Sequence, residues 1–496
     1  MVNLARLAEA SLDRHGDYPA LCFEGAWHTS GEAHDRATRL AGGLRELGVR
    51  PGDRVAVVMA NCPEVSQVYQ AVWRAGAVVT PVVFLVTADE LSHVLRDSGA
   101  VAVVTSPELL PKFGELLETE RGLPKTDKVP AIVVGTPSFE ALLAADPAPI
   151  TDRGPDELAA LLYTGGTTGR SKGVALTHAN LAHAGRVSRE AAHTPGLNTG
   201  ITALPLSHSY GLMVTVGAMQ AVEPPVAVLQ RWFEPAGWLR LAAEQRAQTA
   251  AVVPSMIVML LGQPLATTDL SALRFVFSGA APLPPAAAEA FERLVPSARV
   301  LEGYGCTETG GIVSGSPLQA PRRGTVGKPL EGIEVRLADD GEILVRGPNV
   351  MRGYWRAEPA ELTGSGITEG WFATGDIGTI DGDGYLSIVD RKKDLIIRGG
   401  FNVYPRDVED VLTAHPAVAM AAVVGRPDER LGEEVIAFVS LTGGEGGQGD
   451  VTAGDLDAYA RAHLAPTKRP REIHVLEQIP LTSVGKLNRK ALRALL

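Results

Sequence analysis

Short apolar runs typical of strands alternate with helical patterns along much of the chain. Arg54–Met59 is almost entirely apolar, Glu64–Ala75 has apolar positions at helical spacing, and Ala77–Thr80 is again strand-like. Strands that alternate with helices indicate a layered α/β fold with largely parallel sheets. Similar strand-like runs are found at Val101–Val104, Ala131–Val134, Leu158–Tyr163 and Phe275–Phe277.

The pattern changes from about Val326 onward. Val335–Leu337, Glu342–Val345 and Tyr385–Val389 are short strand-like runs, separated by turns rich in glycine and aspartate. Short strands joined by such turns are typical of antiparallel sheet. We therefore predict that an antiparallel β region follows the α/β part of the chain.

The segment after Lys393 has a third pattern. A helical run at Pro405–Leu412 is followed by strand-like runs at Val418–Val424 and Glu434–Leu441, which together predict a compact α+β unit. Gly443–Gly449 is glycine-rich and is predicted to be a flexible surface loop within that unit. The predicted domains are a large N-terminal domain of layered α/β subdomains plus the β region, residues 1–392, and a small mobile α+β C-terminal domain, residues 393–496.

Composition and charge exclude some classes of partner. The chain has 496 residues, too many for one ordinary core, so at least two domains are expected. The formal net charge of −11 disfavours a general binder of nucleic acid or of anionic membranes, although a nucleotide pocket needs only a few positive charges. The three cysteines show neither metal-ligand spacing nor a disulfide framework. With no secretion-signal pattern and no apolar run long enough to span a bilayer, we expect a cytoplasmic protein.

A glycine-rich loop follows the strand-like run Leu158–Tyr163. Its glycines let backbone N–H groups turn toward an anion, its hydroxyl side chains add donors, and its lysine adds positive charge. These groups together suit the phosphates of a nucleotide. The residues concerned are Thr164, Gly165, Gly166, Thr167, Thr168, Gly169, Ser171 and Lys172.

Two known glycine-rich motifs resemble this loop in part, but neither matches it fully. A Walker A loop has Ser or Thr directly after its lysine, whereas Lys172 is followed by Gly173. Gly169–Gly173 matches the Gly-x-Ser-x-Gly pattern of a hydrolase elbow, which requires a strand directly before it and a helix directly after it. Here further loop residues precede the pattern, and the β-prone run Gly173–Leu176 follows it. Ser171 is therefore not expected to be a nucleophile.

Tyr163–Gly173 resembles the signature loop of the adenylate-forming superfamily. That superfamily includes acyl-CoA synthetases, aryl-acid ligases, peptide-synthetase adenylation domains and beetle luciferases. Four further segments resemble its motifs in the expected order, and five matches along nearly the whole chain are far more specific than one. The further segments are Gly303–Gly310, Gly370–Asp376, Asp390–Pro405 and Pro480–Lys486.

The resemblance implies a two-step reaction with ATP, Mg²⁺ and CoA. A carboxylate attacks the α-phosphate of ATP, pyrophosphate leaves, and the acyl-adenylate is then transferred to a thiol. Catalysis of the first step is expected to depend on positioning and on stabilisation of negative charge. By resemblance, Lys486 is the catalytic lysine, Glu308 the metal carboxylate and Thr307 a phosphate contact.

The resemblance also assigns the rest of the nucleotide site and the thiol tunnel. Asp376 is expected to accept hydrogen bonds from both ribose hydroxyls, because a carboxylate offers two acceptor oxygens. Arg391 lies nearby in the expected site, and Lys393 matches the hinge about which the small domain rotates. The adenine is expected beside Gly279, Ala280, Ala281, Gly303 and Tyr304, and the CoA tunnel beside Gly399, Gly400 and Phe401.

The substrate class is inferred from departures within the acyl pocket. Acetate-activating relatives carry tryptophan where this chain has Gly305, so we expect room for a larger acid. Malonate-activating relatives carry an arginine shortly after a segment like Pro254–Met256, and no cation follows it here; a buried unpaired second carboxylate would be costly. An apolar monocarboxylic acid, fatty, aryl or polycyclic, is the best fit. Further substrate-binding residues by resemblance are His208, Gly310 and Met259.

Alternatives remain for the acceptor and for the reaction. A carrier-protein pantetheine uses the same tunnel as CoA, and the sequence does not separate the two acceptors. A luciferase-like oxygenase acting on an adenylate and a binding protein with a decayed site are the other two readings. The sequence carries no signal for the oligomeric state.

Overall fold

The computed structural model describes most of the chain. Among the residues named above, 165–169, 443–449 and Lys486 lie outside the described part. The described residues are 3–119, 130–164, 171–356, 361–363, 366–442, 451–481 and 487–496.

Helices occur throughout the described residues, and several begin where the sequence supplies a cap or a proline. Thr87 and Glu90 cap one helix reciprocally, each side chain accepting from the other's backbone N–H. The helices are α1 (Ala5–His15), α2 (Ser30–Glu46), α3 (Pro63–Arg74), α4 (Ala88–Ser98), α5 (Leu110–Thr119), α6 (Pro137–Leu143), α7 (His178–Ala191), α8 (Ser209–Ala218), α9 (Pro235–Glu244), α10 (Pro254–Leu261), α11 (Pro285–Leu294), α12 (Pro405–Thr413), α13 (Ala453–His463) and α14 (Arg489–Arg493).

The strands are short, as the sequence patterns predict. They are β1 (Pro19–Phe23), β2 (Ala26–Thr29), β3 (Arg54–Val58), β4 (Val78–Pro81), β5 (Ala100–Thr105), β6 (Ala131–Val133), β7 (Leu158–Thr164), β8 (Lys172–Thr177), β9 (Thr199–Thr202), β10 (Val226–Leu229), β11 (Thr249–Val252), β12 (Phe275–Ser278), β13 (Arg299–Tyr304), β14 (Ser314–Gly315), β15 (Lys328–Pro329), β16 (Glu334–Leu337), β17 (Glu342–Arg346), β18 (Gly353–Arg356), β19 (Glu361–Thr363), β20 (Ile367–Thr368), β21 (Trp371–Ile380), β22 (Leu386–Arg391), β23 (Ile396–Arg398), β24 (Phe401–Val403), β25 (Val418–Asp428), β26 (Gly432–Leu441) and β27 (Glu472–Val475).

The chain divides into two compact units. Unit 1 comprises Met1–Val335 and Val345–Phe372, and unit 2 comprises Arg336–Leu344 and Ala373–Leu496. The boundary expected from the sequence, at residues 392 and 393, falls inside unit 2 and stays a prediction about where the chain bends.

Unit 1 contains two large sheets of mixed direction. In the first, the strand order is β15-β14-β13-β12-β11-β9-β10-β1-β2, and the run from β13 to β1 is parallel. In the second, the order is β19-β18-β8-β7-β4-β3-β5-β6, with β7 to β6 parallel. Helices between parallel strands cover such sheets, which explains why residues of β3 such as Val55 and Val58 are fully buried.

Unit 2 is built mainly on antiparallel pairing, and its β26–β27 pair is parallel. Strand β21 pairs with β22, and the sheet β24-β23-β26-β25 carries β27 beside β26. Helices α12 and α13 pack on the latter sheet through buried apolar residues that include Val408, Leu412 and Leu456. The α/β fold class with a small α+β C-terminal unit is confirmed. Within the described residues, no helix combines the length and apolar character needed to cross a membrane.

Candidate nucleotide-binding and active site

The carboxyl ends of parallel strands in unit 1 bring several predicted residues together. Strands β11, β12 and β13 are in parallel register, with Val252 opposite Ser278 and Ser278 opposite Glu302. The segments that follow β12 and β13 therefore leave the sheet at the same edge. In open α/β sheets, that edge is where ligands bind. It holds both the Gly279–Ala281 segment and the segment from Gly303 to Glu308.

The backbone packs against its neighbours and is strained at the segment after β12. A Cβ atom on Gly279 would lie 3.4 Å from the carbonyl oxygen of Gly303 and 3.6 Å from the ring of Tyr210. Ala280 has φ 70°, in the left-handed region that residues with a side chain rarely adopt. Such strain is often found where a ligand is held. The segment is thus a credible wall for a flat, uncharged group such as a nucleobase.

Tyr210 is hydrogen-bonded to the end of β12, next to this segment. Its hydroxyl donates to the carbonyl oxygen of Phe277 at 3.2 Å, which fixes the ring under the end of β12. Burial raises the pKa of the Tyr210 hydroxyl, so it stays protonated and keeps donating.

Thr307 and Glu308 lie on a short 3₁₀ turn, Thr307–Thr309, directly after β13. The Thr307 hydroxyl donates to Ser209 Oγ at 3.3 Å, at the start of α8. The turn is closed by Thr309, whose buried hydroxyl donates to the carbonyl oxygen of Cys306 at 3.0 Å. The backbone of Glu308 is also fixed, because its carbonyl oxygen accepts from Met351 N at 2.8 Å.

The carboxylate of Glu308 is close to the end of the glycine-rich loop. Tyr354, on β18, donates its hydroxyl to Glu308 Oε1 at 2.9 Å. The ammonium of Lys172, the first residue of β8, lies 5.0 Å from the centroid of the Tyr354 ring. One aromatic residue therefore contacts both the predicted metal carboxylate and the predicted phosphate lysine.

The two ends of the glycine-rich loop are fixed by α4. Strands β7 and β8 form an antiparallel pair in which Thr164 is opposite Lys172. The Tyr163 hydroxyl donates to Asp97 Oδ2 at 2.6 Å, and His93 Nε2 lies 2.9 Å from the carbonyl oxygen of Ser171. The strand β8 directly after Ser171 confirms that the loop is not a hydrolase elbow, which would continue as a helix.

Asp376 and Arg391 are paired within unit 2. They lie opposite each other on β21 and β22, and Arg391 Nε is 3.0 Å from Asp376 Oδ1. Asp376 is buried, whereas the Arg391 side chain is about half exposed at 46%. The pair holds the carboxylate in one orientation, which suits a group that must accept from two hydroxyls.

The predicted hinge and tunnel residues follow Arg391 in unit 2. Lys393 is the central residue of a 3₁₀ turn, Lys392–Asp394. Gly399 (φ 57°) and Gly400 (φ 84°) form the two-residue turn between β23 and β24, a turn that requires positive φ at both positions. Phe401 is 60% exposed at this hairpin.

Comparison with known proteins identifies the family. The AMP-binding enzyme family model matches residues 8–355, and the model of the AMP-binding enzyme C-terminal domain matches residues 407–486. The chain belongs to the adenylate-forming enzymes. It is a ligase of the acyl-CoA synthetase class.

Relatives of this adenylate-forming enzyme match over nearly its whole length. It is 35% identical to a feruloyl-CoA synthase from Amycolatopsis sp, over 98% of this chain and 96% of the relative. It is 33% identical to a long-chain-fatty-acid–CoA ligase from Yersinia pestis, over 99% and 94%. Among solved structures, the o-succinylbenzoate CoA synthetase from Bacillus subtilis, in complex with an acyl-adenylate intermediate, is 28% identical with a TM-score of 0.84 and covers 99% of this chain and 98% of that one.

The predicted acyl-pocket residues of this adenylate-forming enzyme are spread over several elements of unit 1. His208 is the N-cap of α8, and its Nδ1 accepts from Tyr210 N at 3.3 Å, so part of its function is structural. Met259, on α10, is 50% exposed, whereas its neighbour Leu260 is fully buried. Gly310 follows the Thr307–Thr309 turn and is buried. Their substrate-binding roles stay predictions.

Backbone packing alone explains why residue 305 is glycine, without reference to the size of the substrate. A Cβ atom at this position would lie 2.4 Å from the carbonyl oxygen of Gly311 and 2.5 Å from its carbonyl carbon. Real Cβ atoms do not approach backbone so closely. Gly305 therefore does not simply leave space for a larger acid, because the backbone of Gly311 fills the direction in which a side chain would begin.

Gly305→Ala is expected to lower the free energy of unfolding by about 1–3 kcal/mol, the usual cost of overpacking, because two backbone segments must separate. Urea unfolding of the two proteins measures this. Gly315→Ala, on the neighbouring strand β14, is the matched control, since its Cβ would meet only Leu330 Cδ2 at an ordinary 3.7 Å. Equal loss in the two variants would show that the close approach at Gly305 does not matter.

The residues present fit a magnesium ion bound mainly through the substrate. Within the described part of the chain, no group of three or more His, Cys, Asp or Glu side chains is arranged to hold a metal. Mg²⁺ commonly uses one or two carboxylates together with phosphate oxygens and water. Glu308 is half-buried, and within the described residues Oε1 accepts from Tyr354 while Oε2 has no recorded hydrogen-bond partner. One such carboxylate is what this mode of binding needs.

The sequence patterns did not single out Tyr354, His93 or Asp97 as parts of the site. Each acts through a contact between residues far apart in the sequence, and none belongs to the five segments identified in the sequence analysis. The only signal for Tyr354 is its position in the short β-prone run Gly353–Arg356, which indicates a strand but not its partner.

Proposed function

We propose that this enzyme activates an apolar aryl or fatty monocarboxylic acid with MgATP and transfers the acyl group from acyl-AMP to CoA. The observation that carries the proposal is the convergence of Lys172, Thr307 and Glu308 around Tyr354 and α8, beside the carboxyl edge of a parallel sheet. A cation, a hydroxyl and a carboxylate beside a nucleobase-sized wall are the groups that a metal–triphosphate complex requires.

Each group has a distinct task in the adenylation step. Lys172 is proposed to contact the outer phosphates together with the loop hydroxyls, and Thr307 another phosphate oxygen. Glu308 would hold Mg²⁺, which when bound offsets the negative charge of the triphosphate. Asp376, held by Arg391, is proposed to bind the ribose hydroxyls, and Lys486 to stabilise charge between the attacking carboxylate and the α-phosphate.

The substrate class is supported by the apolar character of α10. From Pro254 to Leu261 the helix carries no charged side chain, and Met256, Ile257 and Leu260 are buried. A second carboxylate beside this helix would lack a cationic partner, which is costly in an apolar environment. Two of the relatives, a feruloyl-CoA synthase and a long-chain-fatty-acid–CoA ligase, have names that support an aryl or a fatty acid.

The acceptor is proposed to be CoA rather than a carrier protein. The relatives named above are CoA synthases and ligases. The Gly399–Gly400 turn, with Phe401 beside it, is proposed to line the path of the pantetheine arm in the second step. We keep a cytoplasmic location as part of this proposal.

A panel of acids tests the proposal directly. Pyrophosphate release is measured with ATP and Mg²⁺ for aryl acids such as ferulate, for medium- and long-chain fatty acids, and for malonate as a dicarboxylate control, with and without CoA. We expect release with at least one apolar acid and an acyl-CoA product by mass analysis. Adenylate without any CoA thioester would indicate carrier loading instead, and preference for malonate would contradict the substrate class.

A further inference from the structure

Tyr354 lies between two groups that come from different parts of the chain. Its hydroxyl donates to Glu308 Oε1 at 2.9 Å, and its ring faces the Lys172 ammonium at 5.0 Å. Glu308 belongs to the 3₁₀ turn after β13, and Lys172 is the first residue of β8. The tyrosine is the shared neighbour of both.

The backbone around Tyr354 is fixed on both sides. Its strand β18 pairs with β8, with Tyr354 opposite Val174 and Trp355 opposite Gly173. Just before the strand, Met351 N donates to the carbonyl oxygen of Glu308 at 2.8 Å. The segment 351–355 is therefore bonded to the elements that carry Lys172 and Glu308. Tyr354 has a defined place from which to orient both side chains.

The chemistry of the phenol suits each contact. A phenol hydroxyl is an O–H donor and a carboxylate oxygen is an acceptor, so the Tyr354 hydroxyl donates to Glu308 Oε1. A donor on Oε1 restricts rotation of the carboxylate, and no donor to Oε2 is found among the described residues. The negative face of the ring attracts the ammonium of Lys172, and the distance lies within the range of a cation–π contact.

We propose that Tyr354 is a positioning residue that orients the Glu308 carboxylate toward Mg²⁺ and the Lys172 ammonium toward the phosphates of ATP. This inference rests on the proposed function, because it takes Glu308 as the metal carboxylate and Lys172 as a phosphate contact. Tyr354 is added to the site with two separate functions: its hydroxyl orients Glu308, and its ring orients Lys172.

The Tyr354→Phe variant separates the hydroxyl from the ring. ATP binding is measured by calorimetry across a range of Mg²⁺ concentrations, without acid, so that no turnover occurs. We expect the Mg²⁺ concentration for half-maximal binding to rise about tenfold, the effect of losing one hydrogen bond to a charged group. ATP binding without Mg²⁺ stays unchanged. Tyr18→Phe, which removes a hydroxyl bonded to Pro225 O at 3.2 Å, is the control and leaves both quantities unchanged.

The Tyr354→Leu variant removes the ring as well. We expect it to show the Mg²⁺ effect of the phenylalanine variant and, in addition, to weaken ATP binding without Mg²⁺ about threefold, since Lys172 loses its cation–π partner. Equal ATP affinity of the Phe and Leu variants without Mg²⁺ would overturn the part of the proposal that concerns Lys172. Because Tyr354→Phe retains nearly all of the packing, the hydroxyl part can be tested even if the leucine variant fails to fold.

Glu308→Gln shows whether the hydroxyl acts through Glu308. Glutamine keeps an acceptor for the Tyr354 hydroxyl and loses the charge. If the proposal is correct, adding Tyr354→Phe to Glu308→Gln causes little further loss of the Mg²⁺ dependence. If the effects of the two substitutions on the Mg²⁺ dependence add fully, the proposal is wrong. It is also wrong if Glu308→Gln weakens the Mg²⁺ dependence of ATP binding while Tyr354→Phe leaves it at the wild-type value. If Glu308→Gln itself leaves the Mg²⁺ dependence intact, the role of Glu308 in the proposed function is what fails.

Discussion

Replacement of Lys486 by alanine is expected to slow adenylation by about 10²–10³, the range found when one preorganised electrostatic donor is removed from a transition state. Both reactants are anions, and the ammonium is proposed to lie between the attacking carboxylate oxygen and the α-phosphate. Exchange of pyrophosphate into ATP, at saturating acid and ATP, measures this half-reaction without involving the thiol. Thioester formation from a supplied acyl-adenylate should change far less, because that step does not require the same charge.

Lys490→Ala is the matched control for this prediction. Lys490 carries the same charge shortly after Lys486, and its side chain is exposed on α14. The helix does not depend on it, because Asn488 Oδ1 caps the helix by accepting from Ala491 N, and Arg489 is bound to Glu409 at 2.6 Å. We expect wild-type exchange from this variant. Exchange within a few-fold of wild type for Lys486→Ala would show that the lysine is assigned wrongly.

The sequence predicts those parts of the fold that depend on local patterns. The continuous apolar run at Arg54–Met59 is a central strand, and the helical spacing of Glu64–Ala75 is a helix that ends at Arg74. Pro405 is at the first position of its helix, where its missing N–H costs nothing. Periodicity and capping are properties of neighbouring residues, so they can be predicted without knowledge of the rest of the chain.

What the sequence does not predict is which distant segments meet. Tyr354 contacts Glu308 and Lys172 because β18 pairs with β8, and the paired residues Tyr354 and Val174 lie far apart in the sequence. The pair of Asp97 and Tyr163 likewise joins α4 to the end of β7. A four-residue strand indicates only that it needs a partner, since many strands offer the same backbone groups.

Gly305 shows that the size of the substrate pocket also cannot be predicted from the sequence alone. From the sequence, a glycine in place of a tryptophan indicates open space. In the folded chain, the carbonyl oxygen of Gly311 lies 2.4 Å from the position of the first side-chain carbon, too close for a side chain to begin there. The size of the acyl pocket therefore has to be inferred from residues whose side chains are present, such as those of α10, rather than from a missing one.

Lys393→Pro is expected to leave adenylation close to wild type and to lower CoA thioester formation by about 10²-fold or more, as a misplaced catalytic constellation can. Proline fixes φ at its own position and drives the preceding residue out of the helical region. Lys392–Asp394 forms a 3₁₀ turn, so two successive torsions lose their freedom at the proposed hinge. A chain that cannot change these torsions keeps the C-terminal domain in one orientation. The two half-reactions are proposed to need two different orientations of that domain.

Contacts on both sides of Lys393 help to test whether the chain bends at this residue. Lys392 Nζ is bound to Asp340 at 2.6 Å and to Glu342 at 2.7 Å. On the other side, Arg493 binds Asp394 at 3.2 Å, so the residues before and after Lys393 are bonded to different segments. Lys393→Ala is the matched control, because it removes the same side chain without fixing a torsion, and it should retain both half-reactions. Pyrophosphate exchange and mass analysis of acyl-CoA, on the same preparations, measure the two steps. If both fall equally in Lys393→Pro while the thermal unfolding temperature is unchanged, the chain does not bend at this residue between the two steps.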